Sequence, residues 1–416
     1  MRKLSLLTAV FLLSILIISG CSKNAEGNNS GNDKVVLNVI DPFGTEPQDS
    51  QLTDILKQYE DSHPNVTIKR QSVPAENLIS KVIQQASSGS APDVIFSDAQ
   101  MTPKLASSGA ITPLDKYMDK FLGDDDLTSV YEKSITEIMK YNNKIYGVPV
   151  GNNTEVYFYN KDVFEKDGIT PPKTWDELNN VVGKLKENNE YSFGYSAIAS
   201  EFASWSFLPY AWMKGKDLKH FNTSETIEAL NFWTDFVKDG YTPKSVLNWT
   251  ENDVATQFIN GKFPMFQGGS WIIPIMEKED INYDIIPLPT PEKGGDSMGP
   301  IGGEVMVIGK NSKNEKAAWD FIAWTQDEEV LNPINETFGY LPAYLPAQEK
   351  YLKEHPKFES VAETLKHGKS RTAVVGIDYP EISKELWKGI QNVITGENTS
   401  DEIVKQIQDK VDNLSD

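Results

Sequence analysis

The feature that most constrains the fold is an alternation of strand, helix, strand, helix and strand patterns over residues 35–96. Apolar runs predict buried strands at residues 35–40 and 93–96, and alternation predicts a strand at residues 66–73. Apolar residues at helical spacing between these runs predict two helices. This order is typical of a parallel sheet covered by helices, whose ligands lie beyond the carboxyl ends of the strands. The loops at residues 41–46 and 97–100 are therefore expected at a functional edge.

The alternation of strands and helices continues along the rest of the chain. Two segments have the form of a capping box ahead of an apolar helical stripe, Thr174 with Glu177 and Ser312 with Glu315. Apolar periodicity also predicts a helix that ends at Gly240 and a C-terminal helix over residues 403–414. At 416 residues the chain is long enough for two or three domains. The sequence therefore predicts an α/β protein of more than one domain.

The first twenty residues differ from all that follow. A basic start precedes an apolar run over residues 4–18, which has the length of a signal peptide core and is short for a membrane span. Ile18-Ser19-Gly20-Cys21 resembles the bacterial lipobox, in which the cysteine carries lipid. We predict a signal peptide at 1–20 and a flexible tether at 21–33, with lipid on Cys21 holding the body at the extracytoplasmic face of the cell membrane. A plain signal peptide or a short membrane anchor is the alternative.

Charge and motifs exclude several classes of protein. Lys+Arg 40 against Asp+Glu 60 gives a net charge of −20, which repels nucleic-acid phosphates. One cysteine and four histidines have no zinc-site spacing. Gly368-Lys369-Ser370 ends like a phosphate loop, but Glu363 stands where that loop requires glycine. Carboxylate pairs could hydrolyse a glycosidic bond, but 60 acidic residues make such a pair an unspecific signal. We expect no nucleic-acid partner, metal, cofactor or catalytic residue.

The aromatic residues give a positive signal. The chain has 9 Trp, 16 Tyr and 18 Phe, and Trp205, Trp212 and Trp271 are predicted in loops or beside glycine and proline. Flat rings beside polar groups suit sugars, which have C–H faces and hydroxyl edges. For any single tryptophan a core position is the alternative. Residues 261–271 are the exception, because a strand predicted at 263–267 ends at two glycines and presents Trp271 in a loop.

Several segments carry a family pattern in a fixed order. They are residues 89–94 (GSAPDV), 109–114 (GAITPL), 147–149 (GVP), 157–162 (YFYNKD), 172–178 (PKTWDEL), 261–271 and 313–321. Together they resemble the family 1 extracellular solute-binding proteins of ABC importers, the group that contains maltose-binding protein. The likeness covers nearly the whole mature chain. It implies a two-lobed α/β fold like that of periplasmic binding proteins, with a mainly parallel sheet in each lobe and a sugar held in the cleft between them.

The resemblance also implies where the lobes begin and end. Lobe 1 is expected at residues 34–151 and 305–340, and lobe 2 at residues 152–304 and 341–416. The chain would cross between the lobes in three hinge segments, near residues 152–155, 302–305 and 338–343. Both lobes are therefore expected to be discontinuous in sequence.

The resemblance implies a set of residues around the cleft. Trp271 matches the indole that stacks on the sugar in maltose-binding protein, and Asn153 falls where that relative has a carboxylate. Ser97 replaces a stacking aromatic residue of that relative. The remaining candidate binding residues are Asp41, Phe43, Glu46, Asp98, Gln100, Asn152, Trp205, Gly303, Glu304, Asp378 and Tyr379.

The function that the resemblance implies is a substrate-binding lipoprotein of an ABC transporter. It would be a monomer that captures a carbohydrate, expected to be an oligosaccharide, and delivers it to the permease subunits in the membrane. A membrane-anchored glycoside-processing enzyme is the alternative from another class. A surface adhesin or sensor subunit built on the same fold is a third reading.

Overall fold

The computed structural model describes residues 34–414 apart from residues 124 and 132. The predicted signal peptide, Cys21 and the tether therefore lie outside the described residues. The described part contains ten strands: β1 Val35–Asp41, β2 Val66–Ser72, β3 Val94–Asp98, β4 Lys140–Tyr141, β5 Lys144–Ile145, β6 Gly147–Pro149, β7 Glu155–Asn160, β8 Met265–Gly269, β9 Tyr283–Ile286 and β10 Glu304–Ile308.

Eighteen helices accompany the strands in the described part of the chain. The first nine are α1 Gln48–Ser62, α2 Ala75–Ser87, α3 Thr102–Ser107, α4 Asp115–Leu122, α5 Leu127–Val130, α6 Lys133–Ile138, α7 Lys161–Lys166, α8 Trp175–Asn188 and α9 Glu201–Met213. The others are α10 Ser224–Lys238, α11 Glu251–Ile259, α12 Ile273–Met276, α13 Glu315–Trp324, α14 Glu328–Phe338, α15 Leu345–Glu354, α16 Phe358–Lys366, α17 Tyr379–Thr395 and α18 Ser400–Leu414. The predicted α/β class is confirmed.

The first sheet has five strands in the order β2-β1-β3-β10-β6. β1 pairs in parallel with β2 and with β3, as the alternation of residues 35–96 predicts. β10 returns from late in the sequence and pairs antiparallel with β3 and β6. Strands β1 and β3 are largely buried, in keeping with their apolar runs. The carboxyl ends of β1 and β3 and the start of β10 meet at one edge.

The second sheet corrects an expectation, because it is not mainly parallel. It has three strands in the order β8-β7-β9, and β7 pairs antiparallel with both neighbours. β8 and β9 run in the same direction but are separated by β7, so each finds only an antiparallel partner there. Adjacent side chains of β7 serve two cores, as expected for a strand. Phe158 stacks on Phe266 with ring centroids 4.6 Å apart, while the neighbouring Tyr157 hydroxyl bonds to that of Tyr210 at 2.5 Å.

Helix starts show where local sequence decides structure and where it does not. Thr174 caps α8 by accepting from the Glu177 N–H at 3.2 Å, as predicted, although the Glu177 carboxylate accepts from the Lys173 N–H instead of closing the box. The predicted Ser312–Glu315 box is wrong. The Ser312 hydroxyl donates to the buried Asp93 at 2.5 Å, and α13 begins later, after Asn314. A buried carboxylate needs hydrogen-bond donors, so the Ser312 hydroxyl bonds to Asp93 and does not form the predicted capping box.

The predicted tryptophan placements also need correction. Trp205 and Trp212 lie on α9, not in loops, and each is 4% exposed. Nearly every residue of this helix after its first turn is buried, which hides the polar face that normally marks a helix in a sequence. Trp271 follows β8 in a 3-10 turn and is half-buried. Of the three tryptophans, Trp271 therefore matches its prediction of a loop position.

The segment after the third predicted crossing contacts elements assigned to lobe 1. Tyr344 forms a bridge with Tyr131, and Lys350 of α15 pairs with Glu328 of α14 at 2.7 Å. Residues 341–416 are all predicted in lobe 2, so these are contacts between segments predicted in different lobes. The lobe boundaries remain predictions.

Candidate ligand-binding site

Three predicted crossing segments lie side by side at the edge where β3 ends. The Asn152 N–H donates to the Leu341 carbonyl at 2.7 Å, and the Gly302 N–H donates to the Asn153 carbonyl at 3.0 Å. The Ala99 N–H, just beyond β3, donates to the Gly303 carbonyl at 3.0 Å. The structure therefore brings the loop after β3 and all three segments to one place.

Gly303 is required at this junction. Its φ is +115°, and a Cβ built on it would lie 1.9 Å from the carbonyl oxygen of Gly151. Any side chain would therefore both strain the backbone and separate two of the crossing segments. Gly303 shapes the site through its backbone.

The centre of the site is Arg371, which the sequence reasoning did not identify. Its guanidinium is 3% exposed and pairs with Asp98 at 2.8 Å and with Glu201 at 2.6 Å. Asp98 is the last residue of β3 and Glu201 is the first residue of α9, so the Arg371 side chain joins the first sheet to α9. The guanidinium carbon also lies 4.6 Å from the centre of the Trp205 ring. A charge stacked on an aromatic face and held by two carboxylates has little freedom to move.

Gln100 connects the loop after β3 to Ile301 and to residues 370–372, which include Arg371. Its amide nitrogen donates to the Ile301 carbonyl at 3.1 Å. Its amide oxygen accepts from the hydroxyls of Ser370 at 2.6 Å and Thr372 at 2.9 Å. The predicted residue Gln100 is therefore at the site, but it is 1% exposed and its amide serves protein groups.

Trp271 and Phe202 form an aromatic surface beside Arg371, and Trp271 packs against the buried Trp205. Trp271 lies 5.9 Å from Trp205 and 6.2 Å from Phe202 between ring centroids, with tilts of 48° and 52°. Phe202 is 37% exposed, which is unusual for so large an apolar ring. The structure thus brings together the predicted Trp205 and Trp271 and adds Phe202, which lay hidden in the apolar run of α9.

Glycines make room for both indoles. A Cβ on Gly269 would lie 2.2 Å from the Trp271 ring, and one on Gly302 would lie 2.4 Å from the Trp205 ring. The φ of Gly269 is −74°, so this glycine is needed for space and not for a tight turn. β8 also runs through Gly268 and Gly269 instead of ending before them, which corrects the predicted boundary at Gln267.

Several buried polar atoms at the junction have no hydrogen-bond partner within the part of the chain that the structure describes. They are both amide atoms of the Asn152 side chain, Oδ1 of Asn153, Nε1 of Trp205 and Nε of Arg371. Burying such groups unpaired is costly, so they mark a place where a polar ligand or water completes the bonding. Asn153 lies close to Trp205, since a Cβ on Gly302 would lie 2.2 Å from Oδ1 of Asn153 and 2.4 Å from the Trp205 ring. Asn152 and Asn153 remain predicted ligand contacts.

Glu304 lies where β10 leaves the junction. Burial raises the pKa of its carboxyl group to about 8, and the nearby Asp98 adds to that rise. The Tyr340 hydroxyl donates a hydrogen bond to this carboxyl group, which lowers the pKa and offsets part of the rise. Near neutral pH the side chain is therefore largely protonated and can donate a hydrogen bond.

Two buried acids, Glu155 and Glu251, accept hydrogen bonds from residues close to the two indoles. Glu155 Oε1 accepts from the Ser206 hydroxyl at 2.8 Å, and Glu251 Oε2 accepts from the Gly269 N–H at 2.7 Å. Burial raises the pKa of both carboxyl groups. Because Ser206 adjoins Trp205 and Gly269 lies two residues before Trp271, these two buried acids contact the segments that carry the two rings.

The other predicted residues have different surroundings. Asp41 is fully buried and bound by Arg70 at 2.7 Å, while Phe43 stacks on Phe338 at 4.2 Å in the core. These two residues therefore hold the first loop and do not face a cavity. Glu46 is exposed and accepts from the Ser50 hydroxyl at 2.6 Å. It lies on the outer part of the loop.

Tyr379 holds the turn at residues 376–378 close to Arg371. Its buried hydroxyl donates to Glu201 at 2.5 Å, and its ring centre lies 5.8 Å from the Arg371 guanidinium. Tyr379 therefore positions Glu201 and Arg371 and has no exposed face for a ligand. Asp378 is half-buried in the turn before it.

Sequence reasoning missed Arg371, Glu201, Phe202 and Tyr340. The sequence does contain a signal for Arg371, because arginine is rare in this chain. Outside the predicted signal peptide there are two arginines, Arg70 and Arg371. Within the described residues, no group of three or more His, Cys, Asp or Glu could hold a metal ion. No helix of that part is long and apolar enough to cross a membrane.

Comparisons with known proteins agree with this architecture. The multiple sugar-binding protein of Streptococcus mutans is 27% identical over 385 residues, which cover 88% of each chain. The maltooligosaccharide ABC transporter solute-binding lipoprotein of Streptococcus pneumoniae is 25% identical over 351 residues, covering 80% of this chain and 78% of the relative. The maltose-bound structure of T. maritima MalE3 superposes with a TM-score of 0.82 at 21% identity, covering 91% of this chain and 100% of the other. Residues 44–331 match the family described as bacterial extracellular solute-binding protein. The chain belongs to that family.

Proposed function

We propose that this protein is the substrate-binding lipoprotein of an ABC importer, which captures an oligosaccharide between its lobes and delivers it to the membrane permease. The observation that carries the proposal is the half-buried indole of Trp271, which lies 5.9 Å from the buried Trp205 and beside polar atoms that have no partner among the described residues. Aromatic faces bind the C–H faces of a sugar, and the polar atoms meet its hydroxyls.

The chemistry of the site fits binding without reaction. Asn153 and Trp205 offer neutral donors and acceptors, and the carboxylates of Asp98 and Glu201 are bound by Arg371. Relatives named for maltooligosaccharide and multiple-sugar binding support a glycan of more than one unit. The three adjacent crossing segments provide a hinge, and a ligand that bridges the lobes would shift the population toward the closed state.

Anchoring is the second part of the proposal. A lipid on Cys21 and a tether over residues 22–33 would hold a monomer near the permease at the extracytoplasmic face. The pneumococcal relative, which is named a lipoprotein, supports this arrangement. About 13 residues of such a chain give a root-mean-square reach of roughly 20 Å.

The test is a thermal-shift screen of the purified protein against neutral gluco-, manno- and galacto-oligosaccharides, followed by calorimetry on each hit. We expect at least one glycan to raise the melting temperature, because a ligand that binds only the folded state stabilises it. The recovered glycan should be unchanged by chromatography. Shortened products would instead indicate a glycoside-processing enzyme, and no hit in any class would refute sugar binding.

A further inference from the structure

Both described arginines are already neutralised by two acids each. Arg70 pairs with Asp41 and Asp49, each at 2.7 Å, and Arg371 pairs with Asp98 and Glu201. The one other arginine of the sequence, Arg2, lies in the predicted signal peptide. Arginine is the side chain best shaped to bind a carboxylate or phosphate with two hydrogen bonds. Neither described guanidinium can do so without displacing an acid of the protein.

The site around Arg371 has an excess of negative charge. One guanidinium faces the two carboxylates of Asp98 and Glu201, which leaves one negative charge in excess. Both amino groups of the Arg371 fork are engaged, whereas its buried Nε has no acceptor in the described structure. A single N–H donor suits a hydroxyl or ring oxygen and offers no bidentate site for an anion.

Resting on the proposed function, we propose that this cleft selects glycans by charge: it accepts neutral and amino sugars and rejects those with carboxylate, sulfate or phosphate groups. An acidic glycan would meet the net negative charge of Asp98, Glu201 and Arg371, whose two carboxylates are 35% and 36% exposed and so face the cleft solvent. An amino group would instead be attracted to the same carboxylates. This selection by charge arises because two carboxylates, those of Asp98 and Glu201, surround the single guanidinium of Arg371.

The test compares three glycan classes on the full mature protein. The probes are neutral malto- and manno-oligosaccharides, chitosan oligosaccharides with free amino groups, and oligogalacturonides, together with glycerol 3-phosphate. We expect the tightest calorimetric affinity in the neutral or amino class, and binding of each acidic probe at least about tenfold weaker than that. A tighter or equal affinity for an acidic probe would overturn charge selection while leaving glycan binding intact. If no glycan of any class binds, the proposed function fails and this inference fails with it.

A variant tests the cause. Asp98→Asn removes one negative charge and frees one arm of Arg371, so the affinity for oligogalacturonide relative to the best neutral or amino glycan should rise about tenfold or more. Asp320→Asn is the matched control, because Asp320 is exposed on α13 and pairs with Lys316 at 2.6 Å. Its affinity ratio should equal that of the wild type. An unchanged ratio in Asp98→Asn, with a native melting temperature, would refute the role of Asp98.

Discussion

The contact between Gly269 and Trp271 gives a prediction that separates a ligand-binding indole from a core residue. A Cβ on Gly269 would lie 2.2 Å from Cη2 of the Trp271 ring, whereas carbon atoms in contact are about 3.5–4.0 Å apart. Gly269→Ala must therefore displace the indole by more than about 1 Å. The backbone tolerates alanine, because φ is −74°, and the Gly269 N–H keeps its bond to Glu251.

The expected losses of glycan-binding free energy follow from the half-buried position of the Trp271 ring, which leaves part of it free to contact a ligand. Trp271→Ala removes an aromatic anchor and should weaken binding of the best glycan by about 2–4 kcal/mol, or roughly 30- to 1,000-fold. Gly269→Ala misplaces the same ring and should cost about 1–3 kcal/mol in binding. In the Trp271→Ala background no ring remains to displace, so Gly269→Ala should add almost nothing. The double-mutant cycle should give a coupling free energy of about 1–3 kcal/mol.

The assay is isothermal calorimetry on the four proteins of the cycle, with thermal melts of each. Gly183→Ala is the matched control, since a Cβ there lies 3.8 Å from the nearest atom, the Tyr241 hydroxyl, and its position inside α8 favours alanine. Its glycan affinity should equal that of the wild type. Additive losses from Gly269→Ala and Trp271→Ala would refute the reasoning. So would unchanged affinity in Trp271→Ala with a large fall in melting temperature, which is the behaviour of a core residue.

Three further predictions concern anchoring, closure and pH. Cys21→Ala should move the protein from the detergent phase to the aqueous phase in phase partitioning without changing its melting temperature, and retention in the detergent phase would contradict the lipid assignment. Saturation with the best glycan should reduce the radius of gyration in small-angle scattering, whereas an equal radius would argue for a rigid cleft. Since the pKa of Glu304 is raised to about 8, the folded state binds more protons than the unfolded state between pH 4.5 and 8, and the free energy of unfolding should fall across that range by at most about 5 kcal/mol from this group. Glu304→Gln should flatten this fall in urea denaturation, while the exposed control Glu381→Gln should not; equal slopes in wild type and Glu304→Gln would contradict the shift.

Local sequence patterns predicted the elements whose stability is local. The apolar runs of β1 and β3 and the Thr174 cap of α8 appear where the pattern places them, because burial and capping act over a few residues. The predicted cap at Ser312 failed because Asp93, more than 200 residues away, takes its hydroxyl. A contact of that range leaves no trace in a local pattern.

The same limit explains the candidate site. Trp271 stood out because two glycines precede it, and the space they leave is the physical reason. Arg371 and Glu201 are 170 residues apart in sequence, so no local pattern shows that they pair. Asp41 looked like a ligand contact in its loop, but Arg70 on the next strand binds it. Pairing between charged residues depends on the tertiary fold, which periodicity does not encode.

A crystal structure of the mature protein with the glycan that binds most tightly would show directly how the cleft holds its ligand. We expect a sugar ring on the face of Trp271, with hydroxyls bonded to Asn153 and to Nε of Arg371, and with Asp98 and Glu201 still holding that arginine. Glycan bound away from the junction of the three crossing segments, or a glycan carboxylate or phosphate in place of Asp98 on Arg371, would contradict this expectation.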